Sequence, residues 1–242
     1  MSAVAAPAPF VDPCSDCASR PISICRAAPH RDLQRLAEHL TVKEYAAGEP
    51  VLLDGDACDH VFNITEGSVK VFRSLPDGRR AVTGFLFRGD FLGLAHSERA
   101  LFGAEALEPA KVCRFPRKAF KALLMEMPQL ETELLERASH ELEQAQDQLL
   151  LLSRKTALER VASFLLALSR RAQERLEPAD PVRFPMIRAD MADYLGLTTE
   201  TVSRCFGRLK TSGVIRLLPG NQASILRPER LAQLAEGEHA AA

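Results

Sequence analysis

The run Arg188-Ala189-Asp190-Met191-Ala192-Asp193-Tyr194-Leu195-Gly196-Leu197-Thr198-Thr199-Glu200-Thr201-Val202-Ser203-Arg204 decides how the C-terminal part of the chain folds. A helix-forming stretch, a glycine where the backbone must turn, and a threonine able to cap a second helix match helix-turn-helix geometry. On that second helix Val202, Cys205, Phe206 and Leu209 recur at i, i+3, i+4 and i+7, which predicts an inward apolar face. Glu200, Ser203, Arg204 and Gly207 then face outward. Arg bonds O6 and N7 of guanine, Glu accepts from N4 of cytosine, and Ser bonds several base edges, so Glu200, Ser203 and Arg204 are candidate base readers. The plainer reading is a surface pair between Glu200 and Arg204 at i, i+4, worth only about 0.3–0.5 kcal/mol. The short polar face near a helix N-terminus favours DNA, with Thr199, Arg208, Lys210, Thr211 and Ser212 as candidate backbone contacts.

Outward from this run the pattern continues on both sides. Val214 to Leu218, Pro219-Gly220-Asn221 and Ala223 to Leu226 predict a β-hairpin wing. Upstream, a helix is expected from about Thr156 to Leu176, ended by Glu177-Pro178-Ala179-Asp180-Pro181. Before it, from Pro128 to Leu152, Leu135, Ala138, Leu142, Ala145, Leu149 and Leu152 are spaced 3, 4, 3, 4, 3. That is the a/d rhythm of a narrow coiled-coil seam and predicts a dimerisation helix. Glu131, Glu133, Glu136, Glu141, Glu143 and Asp147 lie off the seam, where their charges are expected to stay solvated. Leu130, Leu134, Leu150 and Leu151, also off the seam, suit the alternative of packing within one chain.

Between Leu40 and Phe120 the chain breaks into short β-type runs: Val51 to Leu53, Val61 to Ile64, Val69 to Phe72, Ala81 to Phe87 and Lys111 to Phe115. Asp-Gly, Glu-Gly, Pro-Asp-Gly and Gly-Asp turns separate them, and such regular spacing predicts a jelly-roll or similar barrel. Arg117 to Met125 reads as a helix leading to Pro128. At the other end, the first 13 residues lack periodicity and read as a flexible arm. Cys14, Cys17 and Cys25 follow as C-x2-C-x7-C. Thiols this close in a cytoplasmic protein suit metal ligation better than a disulfide. Three ligands leave one to find, and spacing alone does not choose among Cys58, Cys113 and Cys205.

Composition bounds the whole. With 242 residues, 46% hydrophobic and 26% charged, the chain suits two soluble domains. It holds no apolar run near 18 residues and no secretory signal, so a cytoplasmic protein without a membrane span is expected. Net charge is -1, yet residues 153–221 hold 12 Lys/Arg against 7 Asp/Glu, a local excess that suits nucleic acid.

Taken together, these pieces resemble the Crp/Fnr superfamily, and within it the oxygen-responsive Fnr branch with its FnrN-like and FixK-like members. The resemblance runs from Cys14 to about Gly237. Its most specific parts are the N-terminal cysteines, Thr65-Glu66-Gly67-Ser68-Val69-Lys70, Thr83-Gly84-Phe85, Gly89-Asp90-Phe91-Leu92-Gly93 and Leu195 to Arg204. It implies an α+β fold with an N-terminal β-roll sensor domain of cyclic-nucleotide-binding type, a long coiled-coil dimerisation helix and a C-terminal winged helix-turn-helix. The expected divisions are 1–30 for arm and cysteine segment, 31–126 for the β-roll, 127–153 for the helix and 154–242 for the DNA-binding domain. The resemblance also implies an oxygen-labile 4Fe–4S cluster held by Cys14, Cys17, Cys25 and a distant cysteine, whose position in the family falls on Cys113. Cys58 beside an Asp/Gly turn is then incidental, and Cys205 packs inside the helix-turn-helix.

The family's E-x-x-S-R recognition pattern falls on Glu200, Ser203 and Arg204 and implies a palindrome resembling TTGAT, four spacer bases, then ATCAA, read by a homodimer. RNA polymerase contacts are implied for β-domain loops, with Leu75 to Arg79 and Arg88 to Gly93 as candidates. Cluster assembly is expected to promote dimerisation, because the small Ala138 and Ala145 leave the seam weak. Three other functions compete with this one. A cyclic-nucleotide regulator would carry Gly-Glu-Leu followed by Arg-Ser or Arg-Thr, where this chain has Gly93-Leu94-Ala95 and Ser97-Glu98-Arg99-Ala100-Leu101. A Zn-stabilised DNA-binding protein is compatible with four cysteines. An enzyme lacks support, since no P-loop, nucleophile elbow or H-E-x-x-H is present.

Overall fold

The computed structural model describes residues 13–93 and 98–237. The expected arm and the Leu94 to Ser97 part of the nucleotide comparison lie outside them. Three 3-10 turns, Arg20–Ile22, Ile24–Ala27 and His30–Asp32, and helix α1 (Leu33–His39) precede eight strands: β1 (Thr41–Tyr45), β2 (Pro50–Leu52), β3 (His60–Glu66), β4 (Ser68–Ser74), β5 (Arg80–Phe87), β6 (Phe91–Leu92), β7 (Gly103–Ala106) and β8 (Ala110–Pro116). They form two four-stranded antiparallel sheets, ordered β1-β8-β3-β6 and β2-β7-β4-β5. The tight β3–β4 corner needs Gly67, whose φ is 76° and whose added Cβ would lie 2.4 Å from the Pro109 carbonyl oxygen.

Alternation along β3 and β8 gives the first sheet two apolar faces. Phe62, Ile64, Val112 and Leu92 join Tyr45, Val51, Val69 and Ala104 in the core between the sheets. Val61, Phe91, Cys113 and Phe115 face the other way and are covered by the N-terminal segment, α1, helix α2 (Arg117–Glu126) and the start of helix α3 (Pro128–Arg154). The cysteine segment is therefore the lid of a second core.

Helix α3 leads into α4 (Ala157–Glu174), where the Thr156 backbone N–H donates to Glu159 Oε2 at 3.0 Å. Then come β9 (Val182–Arg183), α5 (Arg188–Leu195), α6 (Thr199–Thr211), the wing strands β10 (Ile215–Leu218) and β11 (Gln222–Ile225), and α7 (Pro228–Ala235). A small sheet ordered β10-β11-β9 closes the domain. The result is an α+β chain with a β-rich N-terminal domain, a long helix and a C-terminal winged helix-turn-helix.

The two ends are packed together. Phe85 of β5 lies 5.2 Å from the Tyr194 ring and 6.1 Å from the Phe164 ring, and Phe85 and Phe87 belong to the core of the C-terminal domain. Lys70 Nζ reaches Asp190 at 3.2 Å, the Val82 N–H donates to Asp193 at 2.8 Å, and Arg171 bonds both the Phe85 carbonyl at 2.8 Å and Asp90 at 2.5 Å. Helix α5 is thus seated on the β4–β5 sheet. One expectation needs correction: Glu133 is not solvated but buried, at 6% exposure. Arginines on either side, Arg26 and Arg137, make that burial tolerable.

Candidate nucleic-acid interface and cysteine centre

The reading face begins with the turn. Gly196 ends α5 in the left-handed region at φ 60°, and the Thr198 side chain accepts from the Thr201 N–H at 3.1 Å, capping α6. Val202, Cys205, Phe206 and Leu209 are buried, which fixes the rotation of α6. Arg188 of α5 stacks on Phe206, 3.3 Å from its ring centre, and locks the two helices; burial pulls its pKa down to about 10, so it remains charged near neutrality. Glu200, Ser203 and Arg204 are exposed on the opposite side, as are Thr199, Arg208, Lys210, Thr211 and Ser212. Arg204 Nη1 and Glu200 Oε1 are 3.8 Å apart with both side chains well exposed, a weak contact that leaves both groups able to change partners. Arg227 and Arg230, which the sequence reading missed, share a groove with Arg208 and Ser212. Their local signal, Arg227-Pro228-Glu229-Arg230, is too short to separate from an ordinary helix start.

The cysteines gather on the β-roll. Cys14 and Cys113 are buried in one apolar cluster, Cys25 packs against it, and Cys17 is half-buried; none is in a disulfide. The segment is clamped to β3 by the Ser19 hydroxyl donating to the Thr65 carbonyl at 2.5 Å, and Ser23 accepts from the Cys25 N–H at 3.3 Å. Burial pushes the Cys113 thiol up to about 12, with Cys25, Cys17 and Cys14 each adding to the rise. Burial likewise pushes Cys25 up to about 11. Cys58 instead packs against the core between the sheets, and Cys205 is buried under α6.

Among the described residues no three His, Cys, Asp or Glu side chains are arranged to hold a single ion. A tetrahedral Zn needs its sulfurs about 2.3 Å from one point. A cubane cluster spreads four thiolates around a cage, and two buried and two half-buried thiols suit its chemistry.

The same segment is tied to α3. Arg26, next to Cys25, places its Nε 2.8 Å from Glu133, and Arg137 Nε lies 2.8 Å from the other oxygen of that carboxylate. Arg137 also donates to the carbonyls of Ile22 at 2.9 Å and Gly89 at 3.1 Å. Beyond this junction α3 leaves Leu135, Leu142, Leu149 and Leu152 exposed at 63, 61, 68 and 38%, with Ala145 exposed and Ala138 half-buried. Leu130, Leu134 and Leu151 pack inward. The packing within one chain expected of Leu130, Leu134 and Leu151 is present, whereas Leu150 is 55% exposed and the 3-4 stripe lies open on another face.

Comparison with known proteins gives this geometry its setting. A family pattern described as a cyclic nucleotide-binding domain matches residues 42–127, and one described as a Crp-like helix-turn-helix domain matches residues 159–234. The nitrogen fixation regulation protein FixK of Bradyrhizobium diazoefficiens is 41% identical over 223 residues, 92% of this chain and 93% of that one. The chain belongs to the Crp/Fnr family of transcription regulators. Another relative of this Crp/Fnr regulator, the fumarate and nitrate reduction regulatory protein of Escherichia coli K12, is 33% identical across 92% of this chain and 90% of its own. The solved structure of FixK2 from Bradyrhizobium japonicum superimposes with a TM-score of 0.75 at 34% identity, covering 84% of this chain and 99% of that one. The protein is thus a DNA-binding transcription activator of the Fnr/FixK type, a regulator and not an enzyme. No helix among its described residues is long and apolar enough to cross a membrane.

Proposed function

We propose that this Crp/Fnr regulator senses oxygen in the cytoplasm through a 4Fe–4S cluster held by Cys14, Cys17, Cys25 and Cys113. The observation that carries the reading is the meeting of thiols from two distant segments, residues 14–25 and strand β8, around one apolar cluster. Bound there, such a cluster supplies reactivity toward oxygen. The chain's own residues do the rest. Ser19 holds the segment on β3, Ser23 fixes the turn at Cys25, and Arg26 and Arg137 hitch the segment to Glu133, two residues before the seam position Leu135 and five before Ala138. A shift of the Cys25 turn is thereby felt at the start of the exposed stripe.

The homodimer forms along Leu135, Ala138, Leu142, Ala145, Leu149 and Leu152, and its two-fold symmetry demands a palindromic target. Glu200, Ser203 and Arg204 read a TTGAT-N4-ATCAA-like site, with Thr199, Arg208, Lys210, Thr211 and Ser212 on the backbone. For RNA polymerase the exposed β4–β5 loop, Leu75 to Arg79, is the better surface. In the other candidate loop Arg88 donates to the Arg175 carbonyl, the Gly89 carbonyl oxygen accepts from Arg137, and Asp90 is paired with Arg171.

The test is anaerobic reconstitution with iron and sulfide, followed by visible absorption and binding to the palindrome before and after air. The expected result is a broad visible band together with binding that falls as the band bleaches. Binding of equal strength by metal-free and reconstituted protein would overturn the reading.

A further inference from the structure

The sheet beneath the cysteine segment holds a polar residue for which the fold gives no use. Asn63 lies mid-strand in β3 at 1% exposure, and its Oδ1 accepts no hydrogen bond from any described residue. Buried amides are ordinarily satisfied, and an unpaired one costs stability that an apolar side chain of similar size would not. The position is set by register. Asn63 is directly opposite Cys113 on β8 and directly opposite Phe91 on β6. Side chains of directly opposed residues lie on the same face with Cβ atoms about 4.5–5.5 Å apart. Asn63 therefore stands between Cys113 and Phe91 on the face roofed by the cysteine segment, and the next β3 residue on that face, Thr65, carries the carbonyl that tethers Ser19.

We infer that Asn63 is a positioning residue for the cysteine centre, its carboxamide hydrogen-bonding the sulfur of Cys113 when that sulfur serves as a ligand. This rests on the cluster reading above. A half-turn about the last side-chain bond exchanges Oδ1 for the NH2 group, and only the NH2 can donate to a thiolate. No bond is made or broken in this step; the amide rotates and an N–H···S bond forms. Two consequences follow from the chemistry. Hydrogen bonds to the sulfurs are among the groups that set the potential of such clusters, and partners of this kind also fix the ligand's orientation. Donation withdraws electron density from the sulfur, so the amide makes the centre harder to oxidise and slows its loss in air.

The experiment compares wild type with Asn63→Leu, of similar size but apolar, and with Asn63→Ala as a second variant should packing intervene. In the metal-free protein Asn63→Leu is expected to raise the thermal midpoint by about 2–4 °C, because the buried, unpaired Oδ1 is gone. In the reconstituted protein both variants are expected to keep the same iron and sulfide per chain, to show a lower reduction potential, and to lose visible absorbance in air at least about threefold faster. Opposite effects on metal-free and loaded protein separate this role from simple packing. Equal bleaching rates and potentials in loaded wild type and variants would overturn the role of Asn63 alone. A metal-free Asn63→Leu protein less stable than wild type would also overturn it, by showing that the amide is satisfied without a ligand. Failure of wild type itself to take up iron would bring down the cluster reading together with this inference.

Discussion

Removing the Glu133 carboxylate should unhitch the cysteine segment from the dimer helix, and the structure sets the size of the effect. Its side chain is 7% exposed and accepts from the Nε of Arg26 and of Arg137, both at 2.8 Å. Each charge-assisted bond contributes about 1.5–3 kcal/mol net in a buried setting. Two features reduce the sum. Arg26 is half exposed, so its share is screened, and Arg137 keeps the carbonyls of Ile22 and Gly89, so it is not stranded. Glu133→Ala should therefore cost about 2–3 kcal/mol, and Glu133→Gln, which retains one acceptor, about 1–2 kcal/mol. The assay is urea unfolding of the metal-free protein, reading the midpoint at unchanged slope. Glu136→Gln is the control: its carboxylate is 64% exposed and 3.9 Å from Arg26, and the change should stay within about 0.5 kcal/mol. Combining Glu133→Ala with Arg26→Ala should cost less than the two single changes added. If Glu133→Ala behaves like the control, the junction carries no load and the proposed route from cysteines to helix fails.

Truncating Arg204 to Ala should cost about 1–3 kcal/mol on the cognate site and relax preference at its guanine, whereas Lys210→Ala should weaken all sequences alike and lower the salt slope; competition across single-base variants separates them. Ala145→Leu should raise the dimer fraction in air and Ala145→Asp should suppress dimers even in reconstituted protein, as read by sedimentation; no change in either would mean the stripe is not the seam. Gly196→Ala should destabilise the protein by roughly 1–2 kcal/mol, since φ is 60° and the new Cβ would meet Leu152 Cδ2 at 3.2 Å and Arg160 Nη1 at 3.3 Å. A thermal midpoint equal to wild type would mean the turn relaxes freely.

The helix-turn-helix was legible because its signals are local: a left-handed glycine at 196, a capping threonine at 198 and an apolar face repeating every three or four residues. The long strands were legible for the same reason, their alternation being bounded by Gly and Asp. Shorter pieces were not. Strands β6 and β9, two residues each, and helices α1 and α7 exist through tertiary packing, and two residues cannot display a period. Glu133 was misread because a charge off an apolar seam looks solvated until partners distant in sequence, here 107 residues away at Arg26, come to it. Cys113 could not be chosen over Cys58 from spacing, for the choice depends on which face of a sheet each thiol occupies. Asn63 was invisible for that reason too: only the register of β3 against β8 puts it opposite Cys113.

The central claim is that Cys113 completes the set begun by Cys14, Cys17 and Cys25. Its most direct test is the iron and sulfide content of anaerobically reconstituted Cys113→Ser beside Cys58→Ser. Cys113→Ser is expected to lose the visible band and nearly all bound iron, and Cys58→Ser to keep both. A full cluster in Cys113→Ser, with loss in Cys58→Ser, would contradict it.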